Sequence, residues 1–359
     1  MESVRQNVAA HTYLGSNYGI VIAKMASTFS QLDNVQQLVG MEVFELKNDW
    51  ATIRIIPFGA TIQSFRIHLD GFQPRDIVLG YDHPQDYQRA FELGSSPYFG
   101  AIVGPVAGRI NKGRFEWENT HWQLPLNEGE HHLHGGTQSF SNQYWSCVHF
   151  DTQNQEKQCL HLQLQSTPEI SYPGIQSCEV RYTLSPESFQ IELISTAQTT
   201  TIANPTQHSY FNLNGHDATL KGLEIEIAAT SYLGKNEAKL PTGNHVHFSD
   251  GEYAALQPSP IGALDHAFVL TKESEQVKMR SSDGLQLSFS TNMPIFQVYV
   301  GGESPIVGKG GVKYSAQSGI CFENQLHPDA VHHPTFPSIT LQTNEKRRNF
   351  IEIKLQQCD

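Results

Sequence analysis

From Val43 onward the chain runs in short bursts in which alternate positions are apolar. Examples are VFELKN, ATIRIIPF, TIQSFRIHLD and RDIVLGY, and later YWSCVHF, CLHLQLQS, SCEVRYTLS, SFQIELISTA, LEIEIAATSYL, LDHAFVL, LQLSFST, PIFQVYV and FIEIKLQQ. Successive side chains of a strand point to opposite faces, so this period marks half-buried strands. CLHLQLQS is the clearest case: Leu160, Leu162 and Leu164 share one face, and His161, Gln163 and Gln165 the other. Gly, Asn, Pro and Ser punctuate the bursts, as turns between strands require. No segment carries a long apolar stripe at helical spacing, and the bursts do not alternate with ten-residue helical stretches, which disfavours a parallel βαβ sheet. No repeat is clean enough to mark propeller blades. The pattern predicts an all-β fold, a large antiparallel β-sandwich, as one domain over residues 37–359. Residues 1 to about 40 show no sustained period, and residues 1–36 are expected to be an N-terminal extension of uncertain structure.

Composition narrows the partners. The 359 residues carry a formal net charge of -12, which argues against a nucleic-acid backbone or an anionic membrane. An abundance of Gln, Asn, Ser, Thr and aromatics suits a neutral polyhydroxylated ligand, and suits an ordinary soluble surface equally. The five cysteines are odd in number and lack any C-x-x-C pair, so neither a disulfide framework nor a structural zinc site is expected. The first residues lack an uninterrupted apolar stretch before a small-residue cleavage site, and no run approaches eighteen apolar residues. The expectation is a cytoplasmic protein.

Candidate chemistry gathers in four places. YFGAIVGPVAGRINKGRF (98–115) has neither a G-x-x-x-x-G-K-[ST] nor a G-x-G-x-x-G set, so its glycines are expected to serve turns and close backbone approach rather than a phosphate. Within it Arg109 is either a salt-bridged arginine or a multi-donor fork aimed at hydroxyls. In NEGEHHLHGGTQSF (127–140), an extended backbone would put His132 and His134 on one side, the opening of a metal site. The alternatives for His134 are a hydrogen-bonding imidazole at a pocket rim and a structural turn residue. NPTQHSYFNLNG (204–215) carries His208, whose unperturbed pKa lies near the working pH, so it can donate and recover a proton. Its other reading is a satisfied core histidine. In CFENQLHPDA, Glu323 is an acid in an apolar run, and burying a carboxylate without partners costs several kcal/mol. It is either an ion-pair partner or a general base, and Asn324 and Gln325 behind it could bond a polar ligand. Asp265 in LDHAFVL raises the same question, with a turn aspartate as the plainer answer. There is no G-x-S-x-G, and no cysteine has the setting of a nucleophile.

Taken together these segments resemble the aldose 1-epimerases, or mutarotases, of the galactose-mutarotase-like family. FGATIQSF, RDIVLGYD, YFGAIVGPVAGRINKGRF, HLHGG, SYPG, NPTQHSYFNLNG, LPTG, LDHAFVL, QVYVGG and CFENQLHPDA stand in the family's order, and the resemblance covers residues 37–356. The resemblance implies a β-sandwich of the supersandwich type with an open cleft. It implies interconversion of the α and β anomers of free aldohexoses such as glucose and galactose, without cofactor or metal. By motif position His208 looks like the general acid, Glu323 the general base, and Arg109, His134 and Asp265 the residues that orient a small neutral sugar. A monomer or homodimer is expected. Several positions depart from the family pattern: Pro105 stands for its first arginine, Gly108 for an asparagine, Gln207 for the commoner asparagine, and QVYVGGES for Q-x-Y-T-G-N. These changes bear on which sugar is preferred. The rivals are an epimerase of phosphorylated hexoses, for which no cationic cluster stands beside the motifs, and a sugar-binding protein without catalysis. Two-carboxylate glycosidase chemistry does not fit a His–Glu pair.

Overall fold

The strands pair edge to edge in antiparallel registers and close on a shared apolar interior. The computed structural model describes residues 42–117, 120–154, 156–165, 172–174, 176–247, 254–256, 264–301 and 305–358. The expected extension at residues 1–36 lies outside them, and the residues from Glu42 on form one compact unit. A nine-stranded sheet runs in the order Ser146–Asp151, Gln158–Gln165, Gln176–Leu184, Phe189–Ala197, Lys346–Gln357, Leu285–Thr291, Val277–Arg280, Glu224–Ile227 and Ala254–Leu256. A six-stranded sheet runs Tyr210–Phe211, Ile320–Gln325, Ile295–Val300, Asp265–Leu270, Ala229–Lys235 and Pro241–His247. Four strands, Phe44–Lys47, Ala51–Ile56, Thr61–Ile67 and Arg75–Asp76, make a third sheet.

The alternation read from the sequence becomes burial. Leu160 and Leu162 are fully buried, while Gln163 and Gln165 on the opposite face are exposed. One apolar cluster draws on all three sheets, including Phe65, Phe189, Phe289 and Phe322. Phe65 meets Phe189 at a ring distance of 5.4 Å and Phe289 meets Phe322 at 4.9 Å, so the sheets are stitched through their aromatic faces. Each such fully buried ring contributes roughly 1.5–3 kcal/mol over leaving it in water. The all-β antiparallel expectation holds.

One element escaped the pattern. Pro84–Glu92 is an α-helix that starts on a proline at its first turn and buries Tyr87 and Ala90. Two inward residues three apart are too few to stand out as a helical stripe, whereas Pro at the first helical position fits a helix start.

Candidate active site

One face of the six-stranded sheet is apolar and joins the core; the other is the floor of a pocket. Register decides which residues reach that floor. Asp265 lies opposite Tyr299, Ala267 opposite Gln297, and Gln297 opposite Glu323. Directly opposed residues share a face, and so do residues two apart on one strand. Asp265, Ala267, Gln297, Tyr299, Glu323 and Gln325 therefore line one cavity of about 260 Å³. Phe296, Val298 and Phe322, at the alternate positions, are buried in the core.

Loops supply the wall. His208 lies between Thr206–Gln207 and Tyr210–Phe211, and its backbone is fixed from both sides by the glycine-rich stretch. Its N–H donates to the Ala101 carbonyl and its carbonyl accepts the Gly100 N–H, both at 3.0 Å. Gly100 can approach so closely because it has no side chain. At φ 64, a Cβ there would sit 2.2 Å from the Ile62 carbonyl oxygen. Gln207 braces the turn by donating to the Gly100 carbonyl at 3.1 Å and accepting the Ser209 N–H at 2.9 Å.

The second wall joins Arg109–Ile110 to His132–Leu133 as paired strands. His134 follows at φ 52, a left-handed backbone. That turn breaks the extended H-x-H arrangement on which the metal-site alternative depended. His132 points away from the pocket and bonds the Pro125 carbonyl and the Tyr172 hydroxyl, while His134 lines the pocket. Gly135, at φ 85, passes so near the Gly104 carbonyl that a Cβ would lie 2.0 Å from its oxygen. All five residues nominated from the sequence, Arg109, His134, His208, Asp265 and Glu323, line this one cavity.

The central pair is buried and nearly in contact. Nε2 of His208 lies 3.6 Å from Oε1 of Glu323, and each side chain is 4% exposed. Oε2 of Glu323 has no protein partner. Burial raises the Glu323 carboxyl to about 8, reinforced by the nearby Asp265 charge and opposed by Arg109. Burial lowers the His208 imidazole to about 4. Both trends favour the neutral form, as desolvation dictates. The His134 imidazole is pushed well below its ordinary value by burial and then by His208 and Arg109. Its ring stands against His208 at 5.4 Å. Arg109 donates to Glu128 at 3.0 Å. Asp265 is held by Gln297 at 2.8 Å and Lys235 at 3.1 Å.

Among the described residues, His134, His208 and Glu323 bring potential ligand atoms within 4.8 Å of one another. The donor set is a poor fit for a metal. The Gly108 N–H donates to Nδ1 of His134 at 3.2 Å, which places the ring hydrogen on Nε2. His134 then offers a hydrogen-bond donor rather than a lone pair.

The two amides behind Glu323 part company in the structure. Gln325 lines the pocket. It is 1% exposed, and neither its amide oxygen nor its nitrogen has a protein partner. A buried amide without partners costs about 1–3 kcal/mol per group, so a ligand or water that bonds it is favoured. The signal for its role is its position, two residues beyond Glu323 and on the same face. Asn324 points the other way and bonds the Phe350 carbonyl. Two lining residues, Lys235 and Lys239, were not singled out by the sequence. They supply cations that the motifs themselves did not announce: Lys239 directly precedes LPTG, but what it faces depends on the strand that pairs with its hairpin.

The family model for aldose 1-epimerase matches residues 42–354. The galactose mutarotase of Rattus norvegicus is 33% identical over 323 residues, covering 85% of this chain and 91% of the rat protein. The aldose 1-epimerase of Escherichia coli K12 is 27% identical over 312 residues, covering 81% and 87%. Among solved structures, an aldose epimerase homologue from C. elegans superposes with a TM-score of 0.81 at 24% identity, covering 89% of this chain and 99% of that one. Galactose 1-epimerase from Lactobacillus acidophilus NCFM gives 0.74 at 26% identity, covering 88% and 95%.

Proposed function

The chain belongs to the aldose 1-epimerase family, and from that premise we propose that it interconverts the α and β anomers of free aldohexoses, with His208 and Glu323 as the proton-transfer pair. The supporting observation is the 3.6 Å approach of Nε2 of His208 to Oε1 of Glu323 in a monosaccharide-sized pocket.

Ring opening removes a proton from the anomeric O1 and adds one to O5, while the C1–O5 bond breaks and the C1–O1 bond becomes a carbonyl. Glu323 as carboxylate takes the first proton and His208 as imidazolium gives the second, which avoids expelling a bare alkoxide. After rotation about C1–C2 the same steps run backwards onto the other face of the aldehyde. Nothing is oxidised and both groups return to their starting states, so no cofactor or metal enters. The pair needs one proton between its two members. Protonated Glu323 with neutral His208 holds the same single proton as the ionised pair and differs from it by one transfer. Burial near pH 7 therefore keeps the right proton count.

Arg109, His134 and Asp265 orient the sugar. His134 does so as an Nε2–H donor and Asp265 as an acceptor steadied by Gln297 and Lys235. A ring misplaced by about 1 Å loses the concerted transfer. The proposed partner is a small sugar, and the proposed protein a cytoplasmic monomer or homodimer. No described helix is long and apolar enough to cross a membrane.

The test is polarimetric relaxation of freshly dissolved α-galactose and α-glucose, corrected for the spontaneous rate. Wild type accelerates both, and His208→Gln and Glu323→Gln each lose about 10²–10⁴-fold with circular dichroism unchanged. Near-wild-type turnover in either variant would end the assignment of that residue.

A further inference from the structure

The charges around the pocket pair off and leave one cation over. Arg109 is engaged by Glu128 at 3.0 Å and Lys235 by Asp265 at 3.1 Å. The remaining lining carboxyl, Glu323, keeps its proton through neutral pH because it is buried. Lys239 also lines the pocket, and no described acid forms an ion pair with it. Glu237 stands on the same turn but is not part of the lining.

The Lys239 side chain is exposed, but its backbone is fixed by the turn it sits on. It occupies a left-handed backbone at φ 60, where glycine or asparagine is favoured. The turn around it is closed by three bonds. The Lys239 N–H donates to the Asn236 carbonyl at 3.0 Å, the Asn236 N–H to the Leu240 carbonyl at 2.9 Å, and the Leu240 N–H to Oδ1 of Asn236 at 3.1 Å. Non-glycine residues kept in such a conformation cluster at functional sites.

We propose that this pocket accepts aldoses bearing a carboxylate, the aldohexuronates, with the Lys239 ammonium meeting the carboxylate while the anomeric end of the sugar stays at His208 and Glu323. The proposal rests on the epimerase reading above. A single ammonium on a flexible stem matches a monoanion. A phosphate dianion is better served by arginine forks, and the pocket's one arginine is already held by Glu128. The chain's formal charge of -12 opposes anions at long range, but at physiological salt charges beyond about 8 Å are screened. A cation in the pocket lining therefore outweighs them.

The experiment measures kcat/KM for α-galacturonate and α-galactose in wild type, Lys239→Ala and Lys239→Glu, at about 0.05 and 0.5 M NaCl. Wild type accelerates both sugars. The galacturonate-to-galactose ratio falls by up to about fivefold in Lys239→Ala, the ceiling for an exposed ion pair, and further in Lys239→Glu. Salt lowers the wild-type ratio and leaves the alanine variant's ratio nearly flat. A ratio moved by neither substitution overturns the proposal, as does rapid galactose turnover with none for galacturonate. Glucose 6-phosphate turned over faster than galacturonate overturns the choice of a carboxylate. Failure with every sugar overturns the epimerase reading itself.

Discussion

Replacing Glu323 by glutamine should make the protein more stable, by an amount that grows with pH. The Glu323 carboxyl is buried and raised from 4.5 to about 8, so the folded state keeps a proton that the unfolded chain gives up near 4.5. A group with a raised folded pKa contributes stability that is full below its unfolded value and is lost as pH climbs through the folded one. Relative to low pH, wild type therefore loses roughly 1 kcal/mol by about pH 5 and roughly 3 kcal/mol by about pH 7. The loss levels off near 5 kcal/mol above about pH 8. The amide of the Glu323→Gln variant titrates nowhere in this range. His208 titrates in both proteins, so its own contribution cancels in the difference. Urea unfolding at about pH 5 and pH 7 should thus show the variant's advantage widening by roughly 2 kcal/mol, alongside its loss of catalysis. A gap that stays constant or narrows as pH rises would refute the claim that this carboxyl is desolvated by the pocket.

On the proposed mechanism the same two groups should set the pH profile of kcat/KM. The pair holds one proton between about pH 4, where His208 gains a second, and about pH 8, where Glu323 loses the first. Stopped-flow polarimetry should give a bell with limbs near those values, and a flat profile from about pH 3 to 9 would contradict it. Gln325→Met removes a buried amide whose two ends lack protein partners. KM for galactose should rise about five- to tenfold, as expected for one or two lost hydrogen bonds, with a smaller change in kcat. An unchanged KM with lowered thermal stability would mark Gln325 as structural.

Much of this molecule is legible in its sequence alone. The alternation of Leu160, Leu162 and Leu164 against polar neighbours predicts strands, and strand after strand predicts an all-β sandwich. The five site residues are visible because each is an unusual residue for its surroundings: an acid in CFENQ, histidines among amides and glycines, an arginine among small residues. Family resemblance then orders them into one site.

Other features depend on which segments meet in space. A strand's sequence gives the face of each side chain but not the strand beside it, so the pocket floor emerges only once Gln297 is opposed to Glu323. One left-handed residue is enough to send His134 into the pocket and His132 into the wall, because alternation holds only while the backbone stays extended. The charge of the cleft is hidden for the same reason. Lys239 adjoins LPTG and Lys235 lies just before it, but only the pairing of their hairpin with Asp265–Leu270 brings them to the pocket. Local sequence determined what each segment is, since side-chain spacing and backbone preference act over a few residues. Packing decided what each segment touches, since burial and hydrogen bonding act between segments that only the folded chain brings together.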